Sequence, residues 1–281
     1  MPQSPLQIGS ALKALSARQP ILVGRDHELA TLRASIEAGR SVFVTGPSGI
    51  GKTALLDVAY AAANASQAGL PVFYCAESST RRGIVTHMLV NLFLHRGRLQ
   101  SEYLNRRNSV DSLAALRRCA TQERLPDLKR MMHQNLGRGG ACLLLDHLDD
   151  PDSRVAALIE VWLETLPLVA VARTAERAGR VRWLLSSFER LELPPLRESM
   201  MLRLAQNHLG CARGLRSQEA TIREAVDRAN GNPGRLLQLL QVAGRPEYQR
   251  NGAVQWRLVD LDLRIRAIGL GDRARGKAGA V

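Results

Sequence analysis

The chain has 281 residues, of which 45% are apolar and 23% charged, enough for one large or two modest domains with a sizeable core. No apolar run approaches the length of a membrane span; the best, 143–145 and 168–172, have the length of buried strands. A net charge of +13 leaves two readings open: a polyanionic partner, nucleic acid above all, or a merely basic, solvated surface.

The four cysteines, Cys75, Cys119, Cys142 and Cys211, are far apart, and no metal-ligand spacing links them to histidines. With no charged and apolar leader in residues 1–19, the expectation is a reduced, cytoplasmic protein without structural metal.

In chain order, a loose arm at 1–19 precedes a helical pattern over 27–38 and a clean strand over 41–45. That strand runs straight into a glycine-rich loop, and 52–65 suit a helix. A strand at 71–76 and a helix at 83–95 follow. Residues 96–140 form a polar, Arg-rich insertion carrying Arg96, Arg98, Arg106, Arg107, Arg117, Arg118, Arg124, Lys129, Arg130 and Arg138, with helices predicted at 110–120 and 126–136 and a closing loop at 137–140. A buried strand at 141–146, a helix at 152–165, a strand at 168–172, a helix around 178–185 and a short strand at 188–193 complete the series.

Strands alternating with helices predict an α/β fold, a five-stranded parallel sheet covered by helices. From Pro194 the pattern is helical only, at 197–209, 217–230 and 234–243. Asn251-Gly252 between two short runs is a hairpin signal, and 273–281 read as a basic, frayed end. The expected organisation is an arm at 1–19, an α/β domain at 20–195, a small all-α lid at 196–245, and a hairpin with basic tail at 246–281.

The loop Gly46-Pro47-Ser48-Gly49-Ile50-Gly51-Lys52-Thr53, followed by Ala54, fits G-x-x-x-x-G-K-[ST] with a strand before it and a helix after it. Its glycines permit close backbone approach, and successive N–H groups at a helix N-terminus cradle phosphates. Lys52 is placed to reach β- and γ-phosphates, and Thr53 to ligate Mg²⁺, so ATP with Mg²⁺ is the expected ligand. The apolar run 143–145 ends in Asp146, a second candidate for the metal. His147 follows it and could act as a base or position water. Asp149 or Asp150 could cap the next helix, Asp150 standing just ahead of Pro151.

These residues together resemble the AAA+ and STAND branches of the P-loop ATPases, in particular ATPase modules similar to origin-recognition initiators. Val23-Gly24-Arg25-Asp26 with Glu28 is similar to the box that precedes the phosphate loop and touches the base in that group. Arg173, closing the fourth strand, resembles a sensor beside the γ-phosphate, and Arg235 in Gly231-Asn232-Pro233-Gly234-Arg235 resembles the lid's second sensor. Each has a plainer alternative: Arg173 pairs with a carboxylate at a strand end, and Arg235 is a solvated helix residue. Arg177, Arg180 and Arg182 are candidates for a finger offered across a subunit interface, or ordinary solvated residues.

His147 departs from the family's usual acid after Asp146, which implies slow turnover. The chain also lacks room for the large effector and repeat domains of many STAND proteins. The resemblance implies a nucleotide switch that assembles into homo-oligomers. Two targets stay open: DNA, through the insertion and the basic tail (Arg264, Arg266, Arg273, Arg275 and Lys277), or a protein partner, through the arm and the hairpin. Trp256 is either part of that contact or a plug in the lid's core.

Overall fold

The computed structural model describes residues 22–65, 71–100, 109–136, 141–164, 166–211, 219–250 and 253–275, in two compact units that divide between Leu193 and Pro194. The arm at 1–19, the loop at 137–140, Arg106, Arg107, Arg138, the Asn251-Gly252 turn and Lys277 lie outside the described residues.

The first unit runs α1 (Asp26–Glu37), β1 (Val42–Thr45), α2 (Lys52–Ala65), β2 (Val72–Cys75), α3 (Arg81–Arg96), a ribbon of β3 (Leu99–Gln100) and β4 (Ser109–Val110), α4 (Leu113–Gln122), α5 (Leu125–Leu136), β5 (Cys142–Leu145), α6 (Ser153–Leu163), β6 (Leu168–Val171) and β7 (Glu189–Glu192). The five long strands form a parallel sheet in the order β2-β5-β6-β1-β7.

Side chains alternate across a strand, so a sheet covered on both sides must be apolar at every position. Phe43, Phe73, Leu143, Leu145, Leu168 and Ala170 enter the core shared with α3 to α6. Val42, Val44, Val72, Tyr74, Leu144 and Val169 enter the core shared with α1 and α2.

Helix α3 is buried along 83–93 because α4 and α5 cover its far side. Thr80 Oγ1 accepts from Gly83 N at 3.1 Å to start it, and Gly97, at φ 71°, ends it. The Arg-rich insertion is therefore amphipathic: Leu99, Val110, Leu116, Leu128, Met131 and Met132 join the core, while Arg96, Arg98, Arg117, Arg118, Arg124 and Arg130 are exposed.

β2 has no strand neighbour on its outer side, and asparagine amides occupy that side. Asn91 Oδ1 accepts from Tyr74 N (3.1 Å), while its Nδ2 donates to Tyr74 O (3.0 Å) and to His87 O (2.7 Å). Asn64 Nδ2 donates to Val72 O at 3.2 Å. The same device recurs on the ribbon, where Asn135 accepts from Gln100 N and donates to Gln100 O, both at 2.8 Å. A buried backbone polar group left unpaired costs about 1–3 kcal/mol, so these amides stand in for a missing strand.

Two expectations are corrected in this unit. Residues 178–185 do not form an α-helix but two 3-10 turns, Gly179–Val181 and Leu184–Ser187, with Gly179 at φ 54°. Neither Asp149 nor Asp150 caps α6; Asp152 does, its Oδ1 accepting from Arg154 N at 2.9 Å.

The second unit holds α7 (Glu198–Cys211), α8 (Glu219–Ala229), α9 (Pro233–Ala243), a short hairpin of β8 (Gln249–Arg250) and β9 (Ala253–Val254), and α10 (Trp256–Arg275). α10 was not expected from the sequence; its Val259 is buried in this unit's own core. Trp256 packs on that core beneath the Arg228 guanidinium, 5.4 Å from its ring centroid, so the plug reading holds. Arg228 also pairs with Glu224 and Asp260, joining α8 to α10.

The turn before α9 is closed by Leu196 N donating to Gly231 O at 2.8 Å. Gly231 has φ 70°, and a Cβ there would lie 2.6 Å from Pro195 Cβ and 2.9 Å from Leu196 O. Gly231→Ala should therefore destabilise the protein by about 2 kcal/mol or more, read as an earlier urea midpoint for the second unit. An unchanged midpoint would mean the turn relaxes freely.

Candidate nucleotide site

The carboxyl ends of neighbouring parallel strands form a crevice where ligands bind in α/β folds. Because β6 lies between β1 and β5, this sheet order brings three segments to one edge: the loop after β1, Arg173 after β6 and Asp146 after β5.

The loop closes on itself. Gly46 N donates to Arg173 O (3.1 Å) and Ile50 N to Pro47 O (3.3 Å), while α2 begins at Lys52. Gly46 has φ 151°, and a Cβ on it would meet Ile50 Cγ2 at 3.0 Å and Leu193 O at 3.3 Å. Lys52 Nζ donates to Gly46 O (2.6 Å) and Pro47 O (2.9 Å). Burial lowers the Lys52 pKa, partly offset by Asp149 and Asp146, with Arg173 also lowering it, so all four groups share one field.

Thr53 Oγ1 donates to Asp146 Oδ2 at 2.7 Å, joining the two residues expected to hold a cation. Asp146 is 1% exposed. Its Oδ2 also accepts from Tyr74 Oη at 3.0 Å, and its Oδ1 from His147 N at 2.8 Å. His147 itself is exposed, with φ 54° and Nε2 3.7 Å from Asp146 Oδ2. Leu148, fully buried, donates its N–H to Val171 O at 2.8 Å and pins the loop that carries His147.

Arg173 meets Asp149 twice, through its backbone N at 2.9 Å and Nε at 3.4 Å. Its carboxylate partner is thus present, on the same edge as Lys52. Arg177 pairs with Asp150 at 2.5 Å, a contact within the chain for one finger candidate. Arg25, 3% exposed, bonds Glu28 Oε1 at 2.7 Å and the Ile50 carbonyl at 3.3 Å, fastening the Val23-Gly24-Arg25 box to the phosphate loop.

Lys52, Thr53, Asp146, His147 and Arg173 are therefore brought together in the first unit. Arg235 stands in the second, an exposed side chain whose N–H is capped by Asn232 Oδ1 at 3.0 Å. Ser48 and Ala54 belong to the loop and the first turn of α2.

Sequence reasoning passed over Tyr74 and Asp57. Tyr74 reaches Asp146 because β2 and β5 are neighbours, with Cys75 O accepting from Asp146 N at 2.9 Å. Burial, then the Asp146 and Asp57 charges, push the Tyr74 phenol far up, so it remains a donor. Asp57, one turn into α2, is raised to about 6 by burial first and by the Asp146 charge second.

The donor set fits a nucleoside triphosphate with a divalent cation: a cradle that a Cβ would fill, an ammonium at its mouth, and a hydroxyl–carboxylate pair of hard oxygens behind it. Fold and site together define a P-loop nucleotide-binding ATPase. A model of the AAA ATPase domain matches residues 21–172, and the chain belongs to that family.

Among solved structures, the chain is similar to the Aeropyrum pernix ORC1 protein in complex with DNA (18% identity, TM-score 0.57, 86% of this chain and 65% of that one). It is similar also to a Walker-type ATPase of Pyrococcus abyssi (17%, 0.56, 94% and 80%) and to Cdc6p of Pyrobaculum aerophilum (13%, 0.54, 83% and 64%). These likenesses show the fold alone, and the chain spans 65% of the ORC1 chain and 64% of the Cdc6p chain. No curated protein matches the sequence.

Asp57 gives a pH signature. Its folded pKa of about 6 exceeds the ordinary 3.8, so the folded state holds the extra proton between these values and stability falls as pH rises through that window. Asp57→Asn should remove this loss. Relative to the parent, the variant gains on the order of 1 kcal/mol between pH 4.5 and 7, allowing for water screening of a half-buried group. Urea melts at both pH values check it; an equal difference at both would refute the assignment.

Proposed function

We propose that this chain is an ATP- and Mg²⁺-dependent molecular switch of slow turnover that assembles into homo-oligomers and acts on DNA in the cytoplasm. The observation that carries the reading is the meeting of Lys52, the Thr53–Asp146 pair and the Asp149-latched Arg173 at one sheet edge.

Bound ATP with Mg²⁺ supplies a phosphoanhydride to cleave and a charge that neutralises its phosphates. Lys52 offers its ammonium to the phosphate chain, and Thr53 and Asp146 offer oxygens to the cation. Tyr74 fixes the Asp146 carboxylate from behind. Arg173 offers a cation at the γ-phosphate end, with Asp149 holding it until a stronger anion competes. Val23, Gly24 and Arg25 form the base-side wall.

His147 takes the place of an acid. Its exposed imidazole is a poorer means of orienting the attacking water than a carboxylate fixed in the site, which supports slow hydrolysis. Arg235 is the second unit's candidate sensor, so the helical unit is the part whose arrangement nucleotide would bias.

The DNA target rests on the +13 charge and on the exposed arginines Arg96, Arg98, Arg117, Arg118, Arg124 and Arg130 of the insertion. The DNA in the ORC1 structure supports it by likeness alone. The cytoplasm rests on the free, buried thiols Cys75 and Cys142; among the described residues no helix is long and apolar enough to cross a membrane. A second reading, a switch for a protein partner, is favoured by the exposed stripe Leu258, Leu261 and Ile265 on α10.

Titration calorimetry tests the site. Lys52→Ala should weaken ATP binding by at least ~100-fold, whereas Asp146→Asn should keep binding and lose turnover by a similar factor. Normal ATP binding by Lys52→Ala would overturn the assignment. His147→Glu should raise turnover roughly tenfold if the missing acid limits the rate.

DNA affinity measured against salt tests the target. A steep fall of log K with log salt, reduced when Arg117, Arg118 and Arg124 are changed to Ala, supports DNA. Absence of binding at low salt would shift the reading to the partner stripe. A non-hydrolysable ATP analogue should increase the particle size in solution; an unchanged monomer would remove the oligomer.

A further inference from the structure

The chain has three tryptophans, and two are absorbed by cores: Trp162 is 1% exposed and Trp256 packs on the second unit. Trp183 is 60% exposed, in the first unit between the two 3-10 turns. Of the three tryptophans it alone is exposed, and what sets it apart from a singly exposed apolar residue is its surroundings.

Its backbone is held fast. Val181, Leu184, Leu185 and Phe188 around it are buried, and Ser186 donates to the Trp183 carbonyl through Oγ (2.6 Å) and N (3.3 Å). The ring is thus presented by an anchored turn rather than by a loose loop.

An open pocket of about 610 Å³ adjoins it, lined also by Arg180, Arg182 and Arg190. All three guanidinium groups are exposed. Among the described residues Arg180 and Arg190 form no ion pair, while Arg182 is one of the groups that hold the Glu176 carboxyl below its usual range. A flat apolar face beside three cations suits a ligand that is both flat and anionic. An unpaired nucleotide has this combination; a duplex hides its base faces in its own stack.

We infer that Trp183 with Arg180, Arg182 and Arg190 forms a subsite for single-stranded nucleic acid, a base stacking on the indole and flanking phosphates meeting the guanidinium groups. This rests on the reading that the protein acts on DNA and adds the form of the strand and the place it is held. The arginines of α4 and α5 supply strand-independent phosphate contacts, whereas Trp183 selects unpaired bases.

The test uses the full chain, a fluorescent 20-nucleotide oligo-dT and a duplex of equal length, followed by anisotropy at several salt concentrations. Trp183→Ala should weaken oligo-dT binding roughly tenfold and leave the duplex within about twofold. Trp183→Phe should retain most of the affinity, because a phenyl ring still stacks. Arg180→Ala and Arg190→Ala should each reduce the salt slope for the single strand by about 0.7.

If the parent protein binds DNA and Trp183→Ala binds oligo-dT equally well, the subsite is refuted while the DNA reading stands. If the parent binds neither oligonucleotide, the DNA reading fails and the subsite with it. Loss of ATP-dependent self-association with unchanged oligo-dT affinity would assign Trp183 to a contact between copies and overturn the proposal.

Discussion

A carboxylate with 1% exposure is tolerable only when its oxygens are hydrogen-bonded, and the site is organised around that demand at Asp146. The donors come from three places: Thr53 at the start of α2, Tyr74 on β2 and the backbone of His147. Satisfying one buried acid thus fixes the first turn of the phosphate-loop helix, an edge strand and the loop after β5 in one arrangement. The oxygens suited to a cation are held in place by the same bonds that make their burial affordable.

The sheet order does the rest. With β6 between β1 and β5, the phosphate loop and Asp146 are separated by one strand, whose end delivers Arg173 between them. The loop's Gly46 N–H is bound to the Arg173 carbonyl, and the Arg173 side chain to Asp149. The loop is thus linked to Arg173 by one hydrogen bond and, through that residue, to Asp149.

Much of this was legible in the sequence because it is local. The phosphate loop, its strand and its helix are contiguous, and uninterrupted apolar runs such as 143–145 mark strands buried on both faces. What stayed hidden is what depends on neighbours distant in sequence. Tyr74 reads as one more apolar strand residue until β2 is placed beside β5, and Asn91 as one polar residue on a buried helix until it is seen to replace a strand. Helix α10 was missed because its side chains lack a clean division: Leu258, Leu261 and Ile265 are exposed, whereas Val259 is buried. The helix expected at 178–185 gave way to 3-10 turns at a glycine with positive φ, a local breaker that an apolar count passes over.

The asparagines along β2 have a consequence for assembly. An unpaired sheet edge is a template on which another chain can add a strand, and proteins commonly blunt it with charge, proline or a covering element. Here Asn64 and Asn91 occupy the outward-facing groups of Val72 and Tyr74. Both rungs of Tyr74 and the carbonyl of Val72 are thereby taken, which blunts this edge of the sheet. A strand added on this side would first have to displace the Asn91 amide from both backbone groups of Tyr74.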